Sequence, residues 1–423
     1  MKVGIYTLGC KVNTYESEFV ARLLEKSNFT IDSFDNVCDI YIINTCTVTN
    51  TSDIKSRKII RQARRKNNEA LVIAMGCYTQ ASGSRYDEAD IVIGNKDKSK
   101  IVDYIKDYLK NKQKKNYVSK DLGNIFENMY IDNFASRTRA FIKIQDGCEN
   151  FCSYCIIPFV RGKCRSKDFN TVIAEVSKLV NNGYFEIVLT GIHTGNYGRD
   201  INTNLCTLLK ELVKIKGLKR LRISSIEITE LNDEILEVIK DNDIIVNHLH
   251  IPIQAASNKV LQIMNRKYDL DYFINKINKI KELKKDISIT TDIIVGHPGE
   301  DDNTFNDSID VLKRIEFSKL HVFPYSKREG TKASEMVQVD EQVKKNRARA
   351  LLELSRELEL KYMNKFLTRE VEVLVEVVKD GTSIGHTTNY LQVKVEKELH
   401  HNTFIKVKLT KIDYPYCVGE IVD

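Results

Sequence analysis

The sequence predicts an α/β protein in three parts. These are an N-terminal doubly wound parallel-sheet domain over 1–115, a central partial (βα)6 barrel over 136–366, and a small C-terminal β-barrel over 367–423, with 116–135 as a linker. Three observations carry that prediction. Short Val- and Ile-rich runs alternate with segments of helical period, the pattern of a parallel sheet covered by helices. The alternation lapses between 116 and 135 and then resumes for six further units. Beyond 367, strand-like runs follow one another with turns and no helices between them. A chain of 423 residues also exceeds one ordinary domain.

In the first part, Lys2–Leu8, Asp39–Asn44, Ala70–Met75 and Asp90–Ile93 read as strands, and Tyr15–Lys26, Ser52–Lys66 and Asp97–Lys110 as helices. Cys10, Cys46 and Cys77 each follow one of the first three strands. The carboxyl ends of parallel strands share one edge, where open α/β sheets bind ligands. Three cysteines distant in sequence therefore fall along one edge, which reads as a metal cluster; chance placement is the alternative. Lys55, Arg57, Lys58, Arg61, Arg64, Arg65 and Lys66 make a cationic helix with no acid among them. Such a run is usually a solvated face, but a phosphate backbone would relieve its self-repulsion.

The six central strands are Ala140–Gln145, Phe185–Leu189, Arg220–Ser224, His248–Pro252, Ser288–Val295 and Lys319–Pro324, separated by helical segments near 168–182, 204–215, 231–240, 257–284 and 302–315. Parallel barrels place their chemistry at the carboxyl ends of the strands. There, after the first strand, lies Cys148-Glu-Asn-Phe-Cys152-Ser-Tyr-Cys155. A stretch that short can turn three sulfurs toward one centre. Iron–sulfur clusters and structural zinc want four ligands. A trio with no His or fourth Cys at metal spacing thus suggests a polynuclear centre with one open position, free to bind a small molecule. A disulfide reading fails because three is odd. Of the other cysteines, Cys38 and Cys206 read as small hydrophobes; Cys164 sits in a basic loop, and Cys417 has no strand-end placement.

Val343–Phe366 reads as a long helix, and Glu370–Val378, Leu391–Val395, Phe404–Leu409 and Gly419–Val422 as the strands of a small barrel of the nucleic-acid-binding sort. Acids slightly outnumber Lys and Arg there, so RNA contact would rest on Lys394, Lys406, Lys408, Lys411, Tyr390 and Phe404. The net charge of +7 permits a nucleic-acid partner without establishing one. No apolar run reaches membrane-spanning length, so no membrane partner is expected. Met1–Leu8 is too short for a signal peptide, and ten cysteines without secretory targeting point to the reducing cytoplasm.

The trio, set between Ile144-Gln-Asp-Gly-Cys148 and Cys155-Ile-Ile-Pro158, resembles the signature of radical S-adenosylmethionine (SAM) enzymes. The resemblance implies that Cys148, Cys152 and Cys155 are the catalytic thiolates. They would hold a [4Fe–4S] cluster whose fourth iron is chelated by the methionyl amine and carboxylate of SAM, and whose electron cleaves SAM to a 5′-deoxyadenosyl radical. Thr7-Leu-Gly-Cys10-Lys-Val-Asn13, Asn44-Thr-Cys46-Thr-Val48 and Gly76-Cys77 resemble the N-terminal domain of the methylthiotransferases. That likeness implies a second [4Fe–4S] cluster on Cys10, Cys46 and Cys77, and an RNA-binding C-terminal barrel of the TRAM kind. Leu-Gly-Cys-Lys-Val-Asn is similar to the branch acting on N6-threonylcarbamoyladenosine in the tRNA anticodon loop.

The same resemblance implies cofactor contacts at later strand ends. Thr190-Gly191 would meet the methionyl amine, with Gly191 permitting close backbone approach. Ser225 and Glu227 offer groups for the ribose or methionyl moiety. Arg266 suits the cofactor carboxylate. Gln254 and Asp292 fall in further family blocks, although Gln254-Ala255-Ala256-Ser257 departs from the family's usual Gln-Ser-Gly-Ser. His297 stands where an aromatic is usual and reads as a neutral packing histidine; His193 is left between cofactor contact and turn cap. An electron donor such as flavodoxin or ferredoxin is implied, and the sulfur donor is not. The alternatives are an isopentenyladenosine or ribosomal-protein aspartate substrate and, from another class, a non-catalytic iron–sulfur RNA-binding protein.

Overall fold

The computed structural model describes residues 1–83, 88–134 and 138–422. Six parallel strands, β1 (Lys2–Thr7), β2 (Thr30–Asp32), β3 (Ile40–Thr45), β4 (Leu71–Gly76), β5 (Ile91–Ile93) and β6 (Lys115–Tyr117), form one sheet in the order β2-β1-β3-β4-β5-β6. Alternate residues of β3 serve opposite faces. Ile40 and Ile42 join the core under α1 (Lys11–Lys26) and α4 (Ile101–Asn111), while Tyr41 and Ile43 pack with Ile59, Ile60 and Ala63 of α2 (Asn50–Lys66). Helices on both faces make the sheet doubly wound. The edge strands β2 and β6 have no apolar run to betray them, and β6 crosses the expected start of the linker at 116. The linker's expected end at 135, the start of the central part at 136 and the terminal Asp423 lie outside the described residues.

The central strands are β7 (Arg139–Lys143), β10 (Glu186–Thr190), β11 (Arg220–Ile223), β12 (His248–His250), β13 (Ser288–Val295) and β14 (Lys319–Pro324). They run parallel as β7-β10-β11 and β12-β13-β14, and bridges Leu221–Ile245 and Ser225–His250 join the two groups into one open barrel. Between β7 and β10, β8 (Gln145–Asp146) pairs antiparallel with β9 (Arg165–Ser166), closing off the loop that carries Cys148, Cys152 and Cys155. Helices α6 (Phe169–Asn181), α7 (Leu205–Leu212), α8 (Asp233–Asp241), α10 (Leu270–Leu283) and α11 (Asp302–Ile315) begin at Asp168, Asn204, Asn232, Asp269 and Asp301. Each of these accepts a hydrogen bond from a first-turn N–H. The helical period read over 257–284 is interrupted: α9 (Asn258–Ile263) ends, Asn265 turns left-handed at φ 61°, and α10 starts afresh. That interruption frees Arg266 to face the strand ends.

One apolar core runs unbroken from the α1 side of the N-terminal sheet through the barrel interior. After β14, α12 (Glu341–Asn364) packs along it, and Leu320 N donates to Ser355 Oγ at 3.0 Å. The strands β15 (Glu370–Lys379), β16 (Thr382–His386), β17 (Gln392–Val395), β18 (Phe404–Asp413) and β19 (Tyr416–Ile421) close a barrel in the order β15-β16-β17-β19-β18 around Val373, Val393, Val407 and Leu409. β16 is not legible as a strand because Thr382-Ser-Ile-Gly-His386 is largely polar.

Two sequence readings are corrected here. Tyr390 and Phe404 are not on an outer RNA-facing surface. Tyr390 stacks between His248 and His386 at 4.8 and 4.7 Å, and Phe404 packs on Phe185 beneath Arg220. Both rings are spent on joining this barrel to the central strands. Among the described residues no helix is long and apolar enough to cross a membrane.

Candidate active site

β1, β3 and β4 are neighbours in the sheet, so Cys10, Cys46 and Cys77 stand at the carboxyl ends of three adjacent strands. Asn13 ties two of their loops together, its Nδ2 donating to Leu8 O at 2.8 Å and Thr45 O at 3.0 Å. Gly9 has φ 96°, and a Cβ there would lie 2.9 Å from Cys46 Sγ, so only glycine lets the two loops approach. Burial pushes the Cys46 thiol up to about 11, with Cys77 and Cys10 adding to it. Burial also raises Cys10, against the pull of Arg161. Cys46 and Cys77 are buried and Cys10 stands exposed at the rim, so the three thiols face one edge with one side open.

The second trio follows β8. Burial raises Cys155 to about 12 and raises Cys152 against the opposing charge of Arg266. Arg266 Nη1 donates to Cys152 Sγ at 3.4 Å, and Nη2 pairs with Glu227. His193 Nδ1 lies 3.8 Å from Cys148 Sγ and its Nε2 pairs with Glu230. Burial opposes protonation of His193, yet Cys148, Cys164 and Glu230 push it up to about 12. His193 is thus a neighbour of the trio and makes no side-chain cap. His297 is fully buried between Ser153 Oγ and Pro298 O, and burial lowers it to about 4, so it is neutral.

The remaining sequence-derived positions divide into three groups. Cys152, Glu227 and Arg266 line one cavity of about 190 Å³ together with His193 and Glu230. Cys155, Gln254 and Asp292 line another of about 200 Å³, whose far wall is Val48 and Thr49, just beyond Cys46. Gln254 is held left-handed at φ 63°, its N–H donating to Asp292 O and its carbonyl accepting from Ile294 N. Ala255 is buried against Val260, Leu261 and Met264 and Ala256 joins the main barrel core, which is where the departure from the usual Ser-Gly is absorbed. Thr190, Gly191 and Ser225 lie at their strand ends but line neither cavity. A Cβ on Gly191 would come within 3.1 Å of Gln145.

Sequence reasoning missed the group that joins the trios. Arg161, completely buried at the end of α5 (Ile157–Arg161), donates Nε–H to Cys77 Sγ at 3.3 Å. Its other nitrogens reach Glu16 Oε1 at 2.9 Å, Asp146 Oδ1 at 3.1 Å and Asn13 Oδ1 at 2.8 Å. Lys98 and Lys143 also pair with Glu16, and Lys143 and Arg165 with Asp146. Burial would raise the Glu16 carboxyl, but Arg161, Lys143 and Lys98 hold it well below the usual range. Four buried cations thus face two carboxylates, and thiolates are the anions available to balance them. Arg161 lay in a basic loop, and nothing local marked it as buried. The loop after β14 makes a second tie: Arg328 donates to Thr47 O at 3.0 Å and pairs with Asp53 at 2.7 Å.

Among the described residues no three Cys, His, Asp or Glu side chains converge as a single metal ion demands. An iron–sulfur cluster asks instead for thiolates spread around a polynuclear body, and each trio supplies three thiols. An open parallel barrel with such a trio after its first strand is the architecture of a radical SAM enzyme. The Radical SAM superfamily model matches residues 142–312, and the model described as Uncharacterized protein family UPF0004 matches residues 2–94. The solved radical S-adenosylmethionine methyltransferase TsrM from Kitasatospora setae shares the fold at TM-score 0.59 and 13% identity, over 79% of this chain and 77% of that one.

Full-length relatives narrow the class. The threonylcarbamoyladenosine tRNA methylthiotransferase MtaB of Bacillus subtilis is 43% identical over 99% of this chain and 96% of its own length. The protein of the same name in Aquifex aeolicus is 38% identical over 94% and 97%. A tRNA-2-methylthio-N(6)-dimethylallyladenosine synthase from Thermoanaerobacter pseudethanolicus is 33% identical over 99% and 92%. The chain belongs to the methylthiotransferase family of radical SAM enzymes, on its threonylcarbamoyladenosine branch.

Proposed function

We propose that this chain is a tRNA methylthiotransferase that replaces the C2 hydrogen of N6-threonylcarbamoyladenosine, next to the anticodon, with a methylthio group. The observation that carries the reading is the joint held by Arg161. It binds the helix that follows Cys155 to Cys77 of the other trio, while one cavity has Cys155 on one wall and the residues after Cys46 on the other.

Two [4Fe–4S] clusters are assigned, one to Cys148, Cys152 and Cys155 and one to Cys10, Cys46 and Cys77. When bound, SAM and the first cluster supply the one-electron chemistry that an aromatic C–H without an acidic proton requires. The protein's part is binding and orientation. Glu227 and Arg266, already paired across the cavity, match the ammonium and carboxylate of a methionyl zwitterion. Gln254 and Asp292 present backbone and polar groups at the second cavity, beside the substrate's approach. Thr190, Gly191 and Ser225 are assigned supporting cofactor contacts.

Lys55, Arg57, Lys58 and Arg65 stay exposed on α2 and suit the phosphates of the anticodon loop, whereas Arg61 and Arg64 pair with Glu88 and Asp90. Residues 1–115 form the domain of the second cluster, 116–135 a linker, 136–366 the SAM barrel, and 367–423 an RNA-binding barrel. The reduced clusters call for a cytoplasmic setting and a donor such as flavodoxin or ferredoxin. Deleting the gene in its host and analysing digested tRNA nucleosides by mass spectrometry tests the reading. Loss of 2-methylthio-threonylcarbamoyladenosine with accumulation of its precursor is expected; loss of the isopentenyl counterpart instead would move the enzyme to the other branch.

A further inference from the structure

A further cavity of the barrel, roomier than the two that hold Cys152 and Cys155, lies apart from them. About 530 Å³ lies within the lumen, inside the roughly 300–1,000 Å³ usual for small-ligand sites. Its walls are residues of β11 to β14, the end of α12, the turn around Tyr390, and Lys11 at the start of α1. It shares Asp292 and Phe323 with the cavity that holds Cys155, so the two spaces adjoin.

The chemistry of this lumen is that of an incomplete ion pair. Arg222, 3% exposed, spends Nε on Glu186 at 2.8 Å, and both of its outer nitrogens are buried with no hydrogen-bond partner. Unsatisfied buried guanidinium donors are costly and call for an acceptor. Lys11 is open to the cavity and has no ion-pair partner among the described residues. Tyr390 fixes the place: held left-handed at φ 69°, it stacks between His248 and His386 and lies 4.5 Å from the Arg222 guanidinium.

The acids nearby are already engaged. Glu186 also faces Arg139 and Arg220, Glu376 takes Arg139 and His386, Asp292 takes His250, and Glu359 takes Lys319. The titrating groups register the excess of positive charge. Burial, then Arg222, His250, Lys11 and His321, holds His248 well below its ordinary value. Burial would raise the Tyr390 phenol, yet Arg139, Arg222 and Lys11 bring it down.

On the purine ring C2 and C6 flank N1, so C2 and the N6 substituent lie on one edge of the base. With C2 turned to the trios, that substituent extends from the reacting edge, and on this branch it ends in a carboxylate. We propose that Lys11 and Arg222, set over Tyr390, form a carboxylate subsite that seats the threonyl group of the substrate and thereby selects it over uncharged N6 substituents. This rests on the function proposed above and adds to it the residues that discriminate. A guanidinium with two free N–H groups suits a planar carboxylate, and the neighbouring ammonium supplies a second contact.

The test uses reconstituted enzyme with SAM and fluorescent anticodon stem-loops bearing N6-threonylcarbamoyladenosine or its methyl ester, read by anisotropy. Wild type binds the acid at least about tenfold more tightly than the ester, the scale of a buried charge-assisted hydrogen bond. Lys11→Met and Arg222→Gln each bring the acid-to-ester ratio toward one. Misfolding weakens both RNAs together and leaves their ratio alone, and Lys11→Met alters an exposed position. A wild-type ratio near one, or a full ratio retained in both variants, overturns the subsite while leaving the enzyme's function standing. Tight binding of an isopentenyladenosine stem-loop with neither threonylcarbamoyl RNA bound removes the function and the subsite together.

Discussion

Arg161→Met would remove the guanidinium that joins the two trios while keeping most of its volume. Cys77 Sγ, Glu16, Asp146 and Asn13 all lose a donor inside a fully buried site. Breaking a buried ion pair by deleting one partner costs about 3–5 kcal/mol. Glu16 keeps Lys98 and Lys143, and Asp146 keeps Lys143 and Arg165, so the lower end of that range applies. About 3 kcal/mol at a urea slope near 3 kcal/mol per molar lowers the denaturation midpoint by roughly 1 M. The chain has no tryptophan, so circular dichroism is the appropriate probe. Built into a chain with Cys148, Cys152 and Cys155 changed to Ala, the same substitution should also lower the iron retained at Cys10, Cys46 and Cys77. Arg161→Lys keeps the charge without the planar fork and should fall between. An unchanged midpoint with unchanged iron would refute the reasoning that this network supports the N-terminal thiolates.

Three further outcomes follow from single contacts. Gly9→Ala puts a Cβ 2.9 Å from Cys46 Sγ on a left-handed backbone, so iron binding by Cys10, Cys46 and Cys77 should drop while SAM cleavage persists, measured as iron content against 5′-deoxyadenosine release. Glu227→Gln and Arg266→Ala should each weaken SAM about tenfold or more in equilibrium dialysis, the loss expected of a charge-assisted contact. His297 titrates near 4 when folded against an ordinary 6.5, so the neutral form is the one the fold favours. Its contribution is complete above pH 6.5 and is lost as pH falls toward 4, by about 1.4 kcal/mol at pH 5.5. His297→Phe should therefore lose less stability than wild type between pH 7.5 and 5.5 in urea titrations.

Much of the architecture was legible because periodicity is local. The six barrel strands and β1, β3, β4 and β5 of the N-terminal sheet announce themselves by their apolar runs, and the Asx caps mark where helices begin. The Cys148–Cys155 set is legible for the same reason, as its three cysteines share one loop. What the sequence hid is long-range. That β1, β3 and β4 are immediate neighbours, and so set Cys10, Cys46 and Cys77 side by side on the edge the sequence assigned them, depends on strand order. Arg161 looks like any loop arginine until α1 supplies Glu16. Tyr390 reads as an RNA-stacking surface ring, and only the docking of the last barrel against β11 and β12 turns it into the lumen. β2, β6 and β16 are edge or polar strands whose pairing is set by their neighbours rather than by their own residues.

The central claim is that two trios with separate duties act together on threonylcarbamoyladenosine. It is tested most directly by incubating reconstituted enzyme with substrate tRNA, SAM, sulfide and reductant, and measuring nucleosides and 5′-deoxyadenosine by mass spectrometry. Wild type should yield the 2-methylthio nucleoside. The variant lacking Cys10, Cys46 and Cys77 should still release 5′-deoxyadenosine without forming that nucleoside, and the variant lacking Cys148, Cys152 and Cys155 should give neither. Methylthiolation by the first variant, or wild type that cleaves SAM and leaves the nucleoside untouched, would contradict the account.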